Sequence, residues 1–263
     1  MKNEVPKDSR IITSFQSTGR IGRSTVAQAL ISWFGYAGIE FSAIDADGEH
    51  RTLSGWYPGF TIHRPYRNEE DLLPILNETG GASTQLIDYP AQETQSILRA
   101  FEHFDAFALF EKKKTKLTIL IFASDERAAM TSAGQIITSF EAKADYVIVK
   151  NPARFSSEIF EHSKLPTMLK EFNAPTVEVP RITGATLAAL DAASRQQKKA
   201  LTFREAEPLL PIGSTFELQN WRNRLFAQFE DITHLLVGSP ELVRNKVRRV
   251  KQATPTKIDP FDL

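Results

Sequence analysis

Apolar positions along the chain fall into short continuous runs, separated by longer stretches with helical spacing. The first unit begins at Arg10. Ile11-Ile12-Thr13-Ser14-Phe15 reads as a short buried strand, followed by a glycine-containing turn from Gly19 to Gly22. Ser24–Phe34 then sets Val26, Leu30, Trp33 and Phe34 at the spacing of a helix face, and Gly35 and Gly38 close it. Glu40–Asp45 is a second strand, ending in acid. Strand, loop, helix and strand within about 35 residues is the pattern of a βαβ unit and a parallel sheet.

The alternation continues. Thr84–Asp88 reads as a buried strand, Thr94–Phe107 as a helix, and Leu117–Ala123 as the clearest strand in the chain. Asp125–Ala142 reads as a helix. Tyr146–Val149 is a strand running into Lys150-Asn151-Pro152, and Thr176–Val179 is one ending at Pro180-Arg181. From Ile182 the strand signals stop; Thr183–Ala193, Ser214–Leu236 and Pro240–Gln252 read as helices, the last of them basic. The expected fold is therefore α/β: a mainly parallel, doubly wound sheet of about six to eight strands with helices on both faces and a helical C-terminal portion. One domain over 1–263 is the economical division, with the core sheet in 10–185, a helical part in 186–253 and a tail in 254–263.

Composition narrows the function classes. With 263 residues, 41% of them hydrophobic, the chain can bury a full core. The absence of cysteine removes thiol catalysis, disulfides and thiolate metal sites. Apolar runs are strand-sized, and the polar start MKNEVPKDSR is wrong for a targeting peptide, so the expectation is a cytoplasmic protein without a membrane segment. Lysine plus arginine and aspartate plus glutamate both number 32, so nucleic-acid binding would need a local patch rather than a whole-molecule field.

The turn after the first strand is the candidate chemistry. Between strand and helix stands Gly19-Arg20-Ile21-Gly22-Arg23-Ser24-Thr25. Glycines let backbone N–H groups turn inward around phosphates, and the helix N-terminus adds a favourable dipole. A cationic side chain can then reach the phosphates and a hydroxyl can hold magnesium.

With Thr18 in front, this segment resembles the deviant phosphate loop KGGxGK[ST][ST] of the ParA/MinD-like P-loop ATPases. Gly19, Gly22, Ser24 and Thr25 match. Thr18 stands in place of the family's signature lysine, Arg20 replaces a glycine, and Arg23 replaces the Walker lysine. Arginine keeps the charge but is planar and forked, so it does not imitate a compact ammonium. Three more landmarks follow in the family's order, so that the resemblance covers roughly residues 10–185. Asp45-Ala46-Asp47 closes the second strand like a DxD segment, which makes Asp45 and Asp47 candidates to sit beside the attacking water or magnesium; a strand-end turn is the alternative for Asp47. Leu86-Ile87-Asp88-Tyr89-Pro90-Ala91 resembles the Walker B segment, which gives Asp88 and Ser24 the metal. Asn151 and Pro180 stand where relatives flank the adenine; a plain turn residue before Pro152 is the alternative for Asn151.

The resemblance implies ATP or ADP with magnesium, a homodimer, and a role in plasmid or chromosome partition or conjugative transfer alongside a partner protein. The nucleotide would act as a dimerisation switch, with hydrolysis weak or absent. The alternative is a pseudo-ATPase serving as an adaptor or DNA-binding protein. A small-molecule phosphotransferase, with Arg64–Arg67 lining its substrate pocket, ranks last.

Three basic clusters complete the picture. Lys112-Lys113-Lys114 with Lys116 reads as a solvated loop before a strand, and Arg195 with Lys198-Lys199 as a second cluster. Arg244, Lys246, Arg248, Arg249 and Lys251 lie on the basic helix and are the candidate non-specific DNA contacts, to phosphates rather than bases. The five histidines show no metal-ligand spacing.

Overall fold

The computed structural model describes residues 8–79, 82–154 and 156–238. Seven strands make one sheet: β1 (Ser9–Ser14), β2 (Phe41–Asp45), β3 (Thr61–His63), β4 (Thr84–Asp88), β5 (Thr115–Ala123), β6 (Asp145–Lys150) and β7 (Thr176–Glu178). Their order across the sheet is β3-β2-β4-β1-β5-β6-β7, and every neighbouring pair is parallel. All six residues of β1 are buried, as a central strand covered on both faces requires.

Twelve helices complete the described chain. They are α1 (Arg23–Ala37), α2 (Thr52–Trp56), α3 (Leu72–Glu78), α4 (Thr94–His103), α5 (Ala106–Lys112), α6 (Arg127–Phe140), α7 (Glu158–Glu161), α8 (Leu165–Glu171), α9 (Gly184–Gln197), α10 (Phe203–Ala206), α11 (Ile212–Asp231) and α12 (Thr233–Leu236). Alternating strand residues feed two cores. Ile12, Ala43, Leu86 and Leu120 meet α1, α2 and α11 on one face. Ile11, Ile44, Ile87 and Ile119 meet the helices from α3 to α8 on the other. The doubly wound expectation holds, with the sheet parallel throughout.

The helical C-terminal part packs over α1. Trp33 on α1 meets Phe229 on α11, ring centroids 5.7 Å apart, and the Trp221 indole N–H donates to the Pro180 carbonyl at 2.7 Å. Arg10, buried at the start of β1, donates to Asp145 Oδ2 and Thr118 Oγ1, both at 2.6 Å, and the Thr118 hydroxyl donates to the Leu235 carbonyl at 2.6 Å. The same polar chain thus ties α12 to the sheet.

Two expected helices are each divided. The 94–107 helix stops at His103, because Asp105 takes a left-handed φ of 46° and redirects the chain so that α5 sinks Ala106 and Phe110 into the core. The 214–236 helix breaks at Ile232, which lets Leu236 and Val237 turn under the sheet. The lysine cluster before β5 is not wholly solvated either: Lys113 Nζ donates to the carbonyls of Leu76 and Thr79 at 3.0 and 2.9 Å, closing the C-terminal end of α3. Of the second cluster, Arg195 pairs with Asp191 and Lys199 with Glu205.

Candidate functional site

The C-terminal ends of four neighbouring strands share one row. Ser14 on β1 is in register with Asp88 on β4, Asp88 with Asp45 on β2, and Asp45 with His63 on β3. From β1 the chain leaves over the α1 face, and from β4 it leaves over the opposite face. The crevice between them is the switch point at which open parallel sheets take their ligands. The loop 15–22 lies over it.

That loop is anchored firmly at its root. Gln16 is fully buried; its amide donates to the Phe122 and Ala129 carbonyls, both at 3.1 Å, and its Oε1 accepts from the Phe122 N–H at 2.6 Å. The Ser17 N–H donates to Ser132 Oγ at 3.0 Å, and the Thr94 hydroxyl donates to the Phe15 carbonyl at 2.5 Å. At its far end Gly22 takes φ 102°, open to glycine, and starts α1. Beyond the root the backbone is unspent. Among the described residues, no N–H from Thr18 to Thr25 donates a hydrogen bond, whereas the Gly22 carbonyl already accepts from Val26. A run of free amides in front of a helix N-terminus suits an anion.

Arg23 sits at the first turn of α1. Its Nη1 donates to the Ser14 and Tyr89 carbonyls, both at 3.2 Å, so the guanidinium spans the ends of β1 and β4. Burial lowers its pKa, and Asp88 and Asp47 oppose that; the group stays charged. Asp88 is the reciprocal case. Burial pushes its carboxyl up to about 6, Arg23 pulls it back, and Asp45 and Asp47 add to the rise. Arg23, Asp88 and Ser14 line a cleft of about 10 Å³, the room of a single water. Ser14 Oγ in that cleft is buried and has no hydrogen-bond partner. A hydroxyl at the end of a buried strand was its only signal in the sequence.

The other expected residues divide. Ser24 and Thr25 are half-buried beside the loop and, among the described residues, their side chains make no hydrogen bond. Ile21 is buried in the α1-side core. Gly19 and Arg20 are exposed, and Arg20 holds a left-handed φ of 63°. Asp45 is fully buried and accepts from the Asp47 and Ser54 N–H groups at 3.2 and 2.8 Å. Asp47 accepts from the N–H groups of Glu49 and His50, both at 2.9 Å, forming the turn that its sequence neighbours allow. Asn151 is buried, and its amide donates to the Ile21 carbonyl at 3.4 Å, holding the phosphate loop. Pro180 offers its carbonyl to Trp221. In the phosphotransferase region, Arg64 is paired with Glu78 at 2.6 Å. Arg244, Lys246, Arg248, Arg249 and Lys251 lie outside the described residues.

Magnesium at such a loop is held by hydroxyl and carboxylate oxygens. The Ser24 hydroxyl suits it, and so does the Asp88 carboxylate, which accepts no hydrogen bond among the described residues; Asp45 accepts backbone N–H groups on both oxygens and Asp47 on Oδ1 alone. Among the described residues there is no group of three His, Cys, Asp or Glu that could hold a metal ion.

No protein-family model matches the sequence, and no curated protein is a significant match. Solved structures similar to the chain include the MinD cell division protein of Aquifex aeolicus, at 15% identity, covering 95% of this chain and 100% of that one with a TM-score of 0.41. The MinC:MinD complex from the same organism gives 14% identity, the same coverage and 0.42. A nucleotide-binding protein in complex with ADP from Archaeoglobus fulgidus gives 19%, covering 67% of this chain and 83% of that one, at 0.41. The expected likeness to MinD-like P-loop proteins is thus found among solved structures. The strand order and register show the fold. No described helix is long and apolar enough to cross a membrane.

Proposed function

We infer that the chain binds a nucleotide by its phosphates at the loop Thr18–Thr25, and that binding rather than turnover is its business. The observation carrying this is the run of unspent backbone N–H groups over a strand-end crevice, on a loop whose root is pinned by Gln16, Ser17 and Thr94. Arg23 and the Ser14 hydroxyl are the side chains at hand for phosphate oxygens, and Ser24 is the hydroxyl free for a metal. ATP or ADP is the ligand that the sequence resemblance favours. Hydrolysis lacks support from the acids at the sheet edge, since Asp45 and Asp47 both accept backbone hydrogen bonds and leave Asp88 alone to orient a water.

The wider role follows the resemblance of residues 10–185: a homodimer switched by nucleotide, working in plasmid or chromosome partition or conjugative transfer with a partner protein. Non-specific DNA contact falls to the basic segment 244–251.

The second reading is an adaptor that keeps the fold without nucleotide. It is favoured by Arg23, whose Nη1 is spent on the Ser14 and Tyr89 carbonyls. Calorimetry of ATP and ADP with magnesium, followed by light scattering, decides between them. Micromolar binding with ATP-dependent dimers supports the switch; no heat at millimolar nucleotide removes it and leaves the adaptor.

A further inference from the structure

Eight large apolar side chains are exposed among the described residues, and three of them fall together around the start of α11: Leu209, Ile212 and Phe216. Ile212 is 77% exposed and Phe216 66%, four residues apart on one helix face. The same face continues through Asn220, Asn223 and Ala227, all exposed and none charged. A helix at the surface normally turns charge to water on this side. Here α11 turns an apolar end and two amides.

The field around that face is one-sided. α11 begins after Pro211 with no side-chain cap and no acid in its first turn. Among the described residues, the N–H groups of Ile212, Gly213 and Ser214 donate no hydrogen bond, so the positive end of a 20-residue helix is uncompensated. The start of α9, held against α11, is compensated: Glu217 accepts from the Thr183 N–H at 2.8 Å and from the Thr183 hydroxyl at 2.7 Å. Residues 181–224 hold seven bases and four acids, and every acid is engaged. Besides Glu217, Asp191 pairs with Arg195, Glu205 with Lys199 and Glu207 with Arg222. Arg181 and Arg224 are exposed and, among the described residues, unpaired. An apolar surface in a positive field suits an occupant that is both apolar and acidic.

The chain itself carries such a segment. Residues 244–251 hold five bases and no acid, which the same field repels. By contrast, Ile258-Asp259-Pro260-Phe261-Asp262-Leu263 has three bulky apolar residues, two acids and no base. Gly238 lies against Ser83 and Asp8, at the N-terminal ends of β4 and β1. From the apolar face, α11 runs about 30 Å back toward that underside. The nineteen residues between Gly238 and Ile258 reach about 60 Å when extended, so the segment can return to the face.

We propose that segment 258–263 docks on the start of α11 of its own copy. Phe261 and its apolar neighbours cover Ile212 and Phe216, and Asp259 and Asp262 meet the open N–H groups of the helix. A tether of this length supplies the segment at an effective concentration on the order of millimolar, so even a weak contact stays closed.

Cross-linking on the full chain tests this. The protein has no cysteine, so an introduced pair reports only itself. Pro260→Cys is combined with Asn220→Cys on the docking face, and separately with Tyr36→Cys, an exposed position on α1. Under mild oxidation the first pair should close into a cross-linked monomer about tenfold or more faster than the second. Adding Phe216→Ser, or Phe261→Ser with Asp262→Lys, should bring that rate down to the second pair's. Because Phe216 is exposed, Phe216→Ser should leave the melting temperature unchanged, which separates a lost contact from a lost fold. Equal rates for the two pairs, or a rate indifferent to Phe216→Ser, overturn the proposal. A cross-linked dimer in place of the monomer also overturns it and gives the face to a second copy.

Discussion

Gly22 and Asn151 are fitted to one another: a side-chain carbon on Gly22 would fall within the van der Waals shell of the Asn151 amide nitrogen. That amide donates to the carbonyl of Ile21, so the end of β6 carries a prop for the phosphate loop. Gly22→Ala therefore meets two penalties, the contact and the positive φ of 102°. The expected cost is about 2 kcal/mol or more by chemical denaturation, with phosphate binding lost. Combining it with Asn151→Ala should return only the steric part.

Arg23 joins the ends of β1 and β4 and offsets the charge of Asp88. Arg23→Ala leaves the Ser14 and Tyr89 carbonyls without that donor and the carboxylate without its counter-charge. A loss on the order of 2 kcal/mol at neutral pH is expected, together with weaker phosphate binding. Arg23→Lys should keep the charge but, with a shorter and differently shaped side chain, not the geometry that sets Nη1 between the two carbonyls; calorimetry should find it intermediate.

Asp88 gives the fold a pH dependence whose sign follows from the direction of its shift. Its folded pKa of about 6 lies above the ordinary carboxylate value of 3.8, so the folded state holds the proton more tightly than the unfolded chain. The stability it contributes is complete below about pH 4 and is lost as pH rises through about 6. Asp88→Asn should flatten that fall and stabilise the protein at pH 7.5 by on the order of 2 kcal/mol, with little effect at pH 4. Urea titrations of both proteins at the two pH values measure it; an unchanged slope would mean that another group titrates.

The Trp221 indole is the buried polar tie between α11 and the chain leaving β7, beside the exposed pair of bonds between Gln228 and Glu178. Trp221→Phe keeps an aromatic ring against Phe203 but leaves the buried Pro180 carbonyl unmatched, for a loss of about 1–3 kcal/mol. Hydrogen exchange should show α11 opening more readily while the β1 and β5 amides stay protected.

Much of this architecture could be read from the chain because its signals are local. Leu117–Ala123 is a continuous apolar run, and the sheet's centre demands one. The loop announced itself through Gly19 and Gly22, and Asp88 through an acid placed after Leu86-Ile87. β3 escaped notice because three half-buried residues at an edge carry no period. Gln16 and the setting of Asn151 were illegible for a different reason. Their partners lie far away in sequence, 106 residues for Gln16 with Phe122 and 130 for Asn151 with Ile21, and nothing near either residue encodes the meeting. The backbone N–H groups that Asp45 and Asp47 accept were equally hidden, because an acid that fixes a backbone turn and one that activates water have the same letter.

The two edges of the sheet are its shortest strands, β3 and β7, with three residues each, against nine in β5. A neighbouring polypeptide seeking to extend the sheet finds almost no ladder to copy at either border, which guards the fold against runaway stacking. Any association between copies is thereby directed to side-chain surfaces and loops. The longest row of unclaimed main-chain donors among the described residues then belongs to Thr18–Thr25, where a small anion can reach and a strand cannot lie flat.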